Sequence, residues 1–85
     1  MTIKQLRDRI DKIDGDIIKK LSQRKKISLK IGKIKAGHHK KIVDPTREEK
    51  MFIRYEKLCT EYDVQSDFIK KLFKMIISNS RKLQK

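Results

Sequence analysis

One cysteine, one proline, three glycines and no tryptophan occur among 85 residues, and only 11 carboxylates accompany 24 lysines and arginines. A lone Cys59 excludes a disulfide framework and a cysteine-based zinc site, and fits a reducing compartment. No apolar run approaches the roughly 20 residues of a membrane span. The opening Met-Thr-Ile-Lys-Gln has no apolar signal core, so the expected address is the cytoplasm with no membrane partner. Two tyrosines and three phenylalanines are too few, and too rarely interleaved with basic residues, for a base-stacking platform. The net charge, 24 − 11 = +13, nevertheless suits a polyanion. Because 18 of the 24 cations are scattered lysines, the sequence reads as a solvated basic surface, and nucleic acid is not the expected partner.

Gly and Pro together fill four positions while Lys, Ile, Leu, Arg and Glu carry most of the chain, so helix is favoured almost throughout. Ile3, Leu6, Ile10, Ile13, Ile17, Lys20, Arg24, Ile27, Ile31 and Ile34 follow one another at alternating spacings of three and four, the seam of a helix that pairs along its length. That helix is about 45 Å long, more than an 85-residue globule is wide, and needs a partner chain to cover it. Gly15 and Gly32 each cost it up to about 1 kcal/mol relative to Ala, which packing is expected to override. Gly37-His38-His39-Lys40-Lys41 reads as a loop. Asp44-Pro45 opens a second helix, Asp as cap and Pro at the first helical position. Its apolar face runs through Met51, Phe52, Tyr55, Leu58, Cys59 and Tyr62. After a connection at Asp63–Gln65, Ser66 or Asp67 is expected to cap a third helix with Phe68, Ile69, Leu72, Phe73, Ile76 and Ile77 on one side. The expected fold is all-α, one domain over residues 1–85 with one long and two shorter helices. A monomer of this size buries only about 60% of its unfolded surface, which points to an oligomer.

Polar residues interrupt these stripes. Arg24 lies on the seam, where an unpaired guanidinium is costly to bury. Ser80 and Gln84 continue the apolar face of Ile76 and Ile77. Arg24 and Lys35 are 11 residues apart, a rotation of about 1100° or three turns plus about 20°, so they project from one face about 16 Å apart and can bracket a small dianion. Arg7 is about 25 Å from Arg24 along the same helix, and could serve the same site only from another chain.

Leu6-Arg7, Ile10-Asp11, Ile13-Asp14, Arg24, Gly32-Lys33-Ile34-Lys35, Asp44-Pro45-Thr46-Arg47-Glu48, Ile77, Ser80 and Gln84 stand in an order that resembles the all-helical (AroQ-class) chorismate mutases over essentially the whole chain. The resemblance implies conversion of chorismate to prephenate by an intertwined homodimer of three-helix chains, without cofactor or metal. It implies that Arg7 of the partner subunit and Arg24 bind the substrate carboxylates, with Ser80 assisting at the ring carboxylate. Lys35 and Gln84 would donate to the ether oxygen, Glu48 with backbone near Asp44 would accept the ring hydroxyl's proton, Arg47 would complete the cationic wall and Ile77 would pack on the ring. Singly, these residues have ordinary readings: Arg24 as a register-setting polar seam residue, Asp44 as a helix cap, Arg47 and Glu48 as first-turn surface charges, and Ser80 and Gln84 as a fraying terminus. His38-His39 lacks carboxylate or thiol neighbours and is not expected to hold a metal, and Cys59 reads as a small core residue. Two rivals remain: isochorismate pyruvate lyase, similar in architecture, and a basic helical dimer that binds nucleic acid or protein. Asp44 and Glu48 fit the mutase pattern.

Overall fold

In the computed structural model, which describes residues 1–38 and 41–84, three helices follow one another: α1 (Ile3–Gly37), α2 (Pro45–Tyr62) and α3 (Ser66–Gln84). Local chemistry sets the first boundary of α1. The Gln5 N–H donates to Thr2 Oγ1 at 3.1 Å and the Thr2 N–H donates to Gln5 Oε1 at 2.9 Å, a reciprocal cap. At its other end α1 continues through Gly37, one residue into the expected loop, and the His38 N–H closes it on the carbonyls of Ile34 and Lys35. His39 and Lys40, on which the rest of that loop expectation falls, lie outside the described residues.

Asp44 caps α2, its Oδ1 accepting from the Arg47 N–H at 3.1 Å, and Pro45 takes the first helical position. Asp63 ends α2 with φ 54°, a left-handed conformation that a short polar side chain tolerates. The expected cap of α3 is corrected: Ser66 is already helical, because the Ile69 N–H reaches the Gln65 carbonyl at 3.2 Å and so opens the helix sooner. Asp67 falls instead in the first turn, where its charge suits the positive end of the helix dipole.

α3 is the hub, packing against both α1 and α2. The side chains of α1 from Leu21 to Lys35 share two clefts with the end of α3 from Leu72 to Gln84. Tyr62 and Phe68, expected on apolar faces, are exposed because they flank the other end of α3, away from α1. Tyr55 stacks at 4.1 Å on Phe73 and meets the edge of Phe52 at 5.4 Å, joining α2 to α3.

The chain is thin, 55 × 24 × 16 Å with a radius of gyration of 16.0 Å, against about 12 Å for a compact chain of this length. Cys59 and Ile77 are its only buried apolar side chains among the described residues. Along the front of α1, Ile10, Ile13 and Ile17 are each more than half exposed, so the seam has no cover within the chain.

Candidate functional site

A cleft of about 260 Å³ opens where the second half of α1, the start of α2 and the end of α3 meet. The helical period on α1 aims Arg24, Ser28 and Lys35 into it, because positions three and four apart share a face. The first turn of α2 contributes Asp44, Arg47 and Glu48, and α3 adds Ile77, Ser80, Arg81 and Gln84. Of the residues expected at one site from the sequence, the structure thus brings together Arg24, Lys35, Asp44, Arg47, Glu48, Ile77, Ser80 and Gln84. Arg7, on the first turns of α1, is not among them.

The Arg24 guanidinium is half-buried, and its Nη1 donates to Ser80 Oγ. The same hydroxyl accepts from Ser28 Oγ at 3.4 Å and donates to the Ile76 carbonyl at 3.1 Å, so one small group anchors α1 to α3. No carboxylate pairs with Arg24: the ion pairs among the described residues are Lys70–Glu56 and Arg81–Glu48. Lys35 Nζ donates to the Ile42 carbonyl at 2.9 Å, tying the approach to α2 back onto α1. Burial pushes the Tyr55 hydroxyl above its usual pKa, while the positive charges of Arg24 and Arg47 pull the other way. Gln84 Oε1 is buried and finds no hydrogen-bond partner among the described residues.

Two polar lining residues, Ser28 and Arg81, escaped the sequence reasoning. Arg81 grips Glu48 as a fork, Nε on Oε1 at 3.1 Å and Nη2 on Oε2 at 2.6 Å, with a further Nη2 contact to Oε1. A separation of 33 residues hides this pair from local spacing, although Arg81, four after Ile77, shares its face. Ser28 could have been found as the residue one turn beyond Arg24.

Arg24, Lys35, Arg47 and Arg81 against Asp44 and Glu48 leave the cleft with 4 − 2 = +2 formal charges. It can therefore hold a compact dianion, with an ammonium donor from α1, an amide donor from α3 and a carboxylate acceptor from α2. A larger hollow of about 430 Å³ between α2 and α3 has apolar and aromatic walls and Arg54 as its one charged group, and offers no such chemistry. Among the described residues no three metal-ligating side chains cluster, and no helix is long and apolar enough to cross a membrane.

The sequence profile of the chorismate mutase type II family matches residues 6–85. A chorismate mutase of Methanocaldococcus jannaschii is 33% identical over 81 residues, covering 95% of this chain and 82% of its own. A bifunctional chorismate mutase/prephenate dehydratase of Buchnera aphidicola is 38% identical over 79 residues, 93% of this chain but 20% of the relative. Its counterpart in Escherichia coli K12 is 28% identical over 75 residues, 88% of this chain and 19% of the relative. This chain spans about a fifth of the length of those two-activity relatives.

Proposed function

The chain belongs to the chorismate mutase type II family, and from that membership we infer that it isomerises chorismate to prephenate in the cleft between α1, α2 and α3, a step of aromatic amino acid biosynthesis. The rearrangement is intramolecular: the ether C–O bond to the ring breaks as a C–C bond forms, and no atom is gained or lost. Catalysis then consists of holding the folded, reactive conformer and stabilising negative charge that grows on the ether oxygen.

The observation that carries this reading is the half-buried Arg24 guanidinium, bonded to a neutral hydroxyl and paired with no carboxylate among the described residues. A half-buried cation without a counterion gives up part of its hydration uncompensated, and a substrate carboxylate relieves that cost. In this reading Arg24 binds one carboxylate bidentately, with Ser80 beside it at the ring carboxylate. Lys35 and the Gln84 amide donate to the ether oxygen, Arg47 adds positive potential and Ile77 packs on the ring. Glu48, with the backbone near Asp44, accepts the ring hydroxyl. Arg81 holds that carboxylate in a fixed orientation by its fork and leaves it acceptor capacity for the hydroxyl.

The same reading includes a homodimer. The uncovered seam of Ile10, Ile13 and Ile17 and the thin single chain support it, since a second α1 laid along the first buries both seams. Arg7, about 25 Å from Arg24 on one rigid helix, would complete the cationic wall from the partner subunit. A cytoplasmic setting belongs to this reading too, supported by the free thiol of Cys59.

The test is to mix the purified protein with chorismate, follow loss of the diene absorbance, and identify the product as phenylpyruvate after acid treatment. Prephenate from the wild type and none from Arg24→Ala is expected. Turnover of isochorismate to pyruvate with none of chorismate, or equal activity in Arg24→Ala, would overturn the reading.

A further inference from the structure

We propose that Gly32 is a positioning residue: its bare Cα lets the last turn of α3 lie against α1, and that seat places the Gln84 amide in the cleft. The inference rests on the chorismate mutase reading and adds what fixes its ether-oxygen donor.

The three glycines differ sharply in their surroundings. A Cβ built on Gly15 or Gly37 meets nothing within 4 Å. On Gly32 it would stand 2.8 Å from the Cα of Gln84, and 3.2 Å from both its Cβ and its carbonyl oxygen. The nearest of these is a backbone atom, which no side-chain rotation can move aside. To reach ordinary contact at 3.4 Å the turn must retreat by at least 3.4 − 2.8 = 0.6 Å. Gly32 is also buried on a helix whose residues are mostly exposed, four positions after Ser28 and three before Lys35, on the face that lines the cleft.

A second, independent observation concerns the amide itself. Gln84 Oε1 is buried without a hydrogen-bond partner among the described residues. Among the described residues no polar contact holds that oxygen, and the amide stands where the backbone of the last turn puts it. A close helix crossing made possible by one missing methyl is therefore what aims this donor.

The experiment compares Gly32→Ala, Gly15→Ala, Gln84→Ala and the double variant Gly32→Ala/Gln84→Ala as full chains. Misplacing a catalytic group by about 1 Å costs on the order of 100-fold, so Gly32→Ala is expected to lower kcat by about that factor with KM within about threefold. Gly15→Ala, in open space, is expected to leave kcat unchanged. In the Gln84→Ala background Gly32→Ala should cost less than about twofold, because no amide remains to misplace. The side-chain amide signals of Gln84 in a nitrogen–proton NMR spectrum, assigned by their loss in Gln84→Ala, should move in Gly32→Ala and stay in Gly15→Ala. A kcat loss below about tenfold, an equal loss in both backgrounds, or unmoved amide signals would overturn the proposal. So would loss of the helical circular dichroism in Gly32→Ala, since the proposal confines the cost to one terminal turn. A wild type without chorismate turnover would sink the inferred mutase activity instead, while the amide signals would still report on the seat.

Discussion

Replacing Gln84 with Glu exchanges a group that donates at any ordinary pH for one that donates only while protonated. The side chain lines a cleft that also holds Arg24 and Lys35, and its amide oxygen Oε1, beside the donating Nε2, is buried. An unperturbed glutamate titrates at about 4.3, the reference value for the introduced carboxyl, which burial raises and the two cations lower. At about pH 7.3 only about one molecule in a thousand then carries the donor, and the expected loss of kcat is on the order of 1000-fold, recovered about tenfold per pH unit toward acid. The amide of the wild type predicts a nearly flat profile over the same range. The assay is chorismate disappearance between about pH 5 and pH 8, each variant rate divided by the wild-type rate at that pH so that substrate titration cancels, with circular dichroism confirming the fold. A ratio independent of pH would show that position 84 does not touch the reacting oxygen.

Arg81→Met should free Glu48 from its fork. Bonds to charged groups contribute about 1.5–3 kcal/mol, but the Arg81 side chain is 39% exposed, and solvent-exposed pairs measure nearer about 0.2–1 kcal/mol. A loss of about 1 kcal/mol, or about 4–8 °C in Tm at fixed protein concentration, is expected together with a lower kcat/KM; an unchanged Tm would refute the pair's contribution. If the proposed homodimer shares its sites, Arg7→Ala and Arg24→Ala should each inactivate it, yet unfolding and refolding the two together should restore about one quarter of wild-type activity, because half of the dimers are hybrids with one intact site. No recovery would remove Arg7 from the partner's site. Because burial lifts the Tyr55 pKa in the folded chain, the stability it contributes is fully present below about pH 10 and is lost as pH rises through the lifted value. Tyr55→Phe should therefore flatten the alkaline fall of Tm, and an identical slope would contradict that assignment.

What was legible in the sequence is what local chemistry decides. Asp44-Pro45 announces α2 because cap and first-turn geometry involve neighbours only, and Arg24 and Lys35 share a face because the period of a helix is fixed. What was hidden depends on distant approach. Ser66 misled because a backbone bond to the Gln65 carbonyl outranked its hydroxyl. The Arg81–Glu48 fork spans two helices, and sequence spacing carries no record of it. Gly32 is the most instructive case: within its own helix it is only a cost in helix propensity, and its use appears once the Gln84 backbone lies over it.

Most of what is buried among the described residues surrounds the cleft. Ser28, Gly32, Ile77 and Ser80 are buried where α1 meets α3, and Cys59 is the only buried residue on α2. A hydrophobic core would hold these helices together more strongly, but it could not present the +2 cleft that a dianion requires. The contacts that dock α1 on α3 are therefore largely the ones that aim Arg24 and Gln84. Like charges gathered in the free cleft repel one another, and that stability is traded for function. In the proposed reading a bound dianion cancels the excess, and the substrate supplies the counter-charge that the chain leaves out of its own interior.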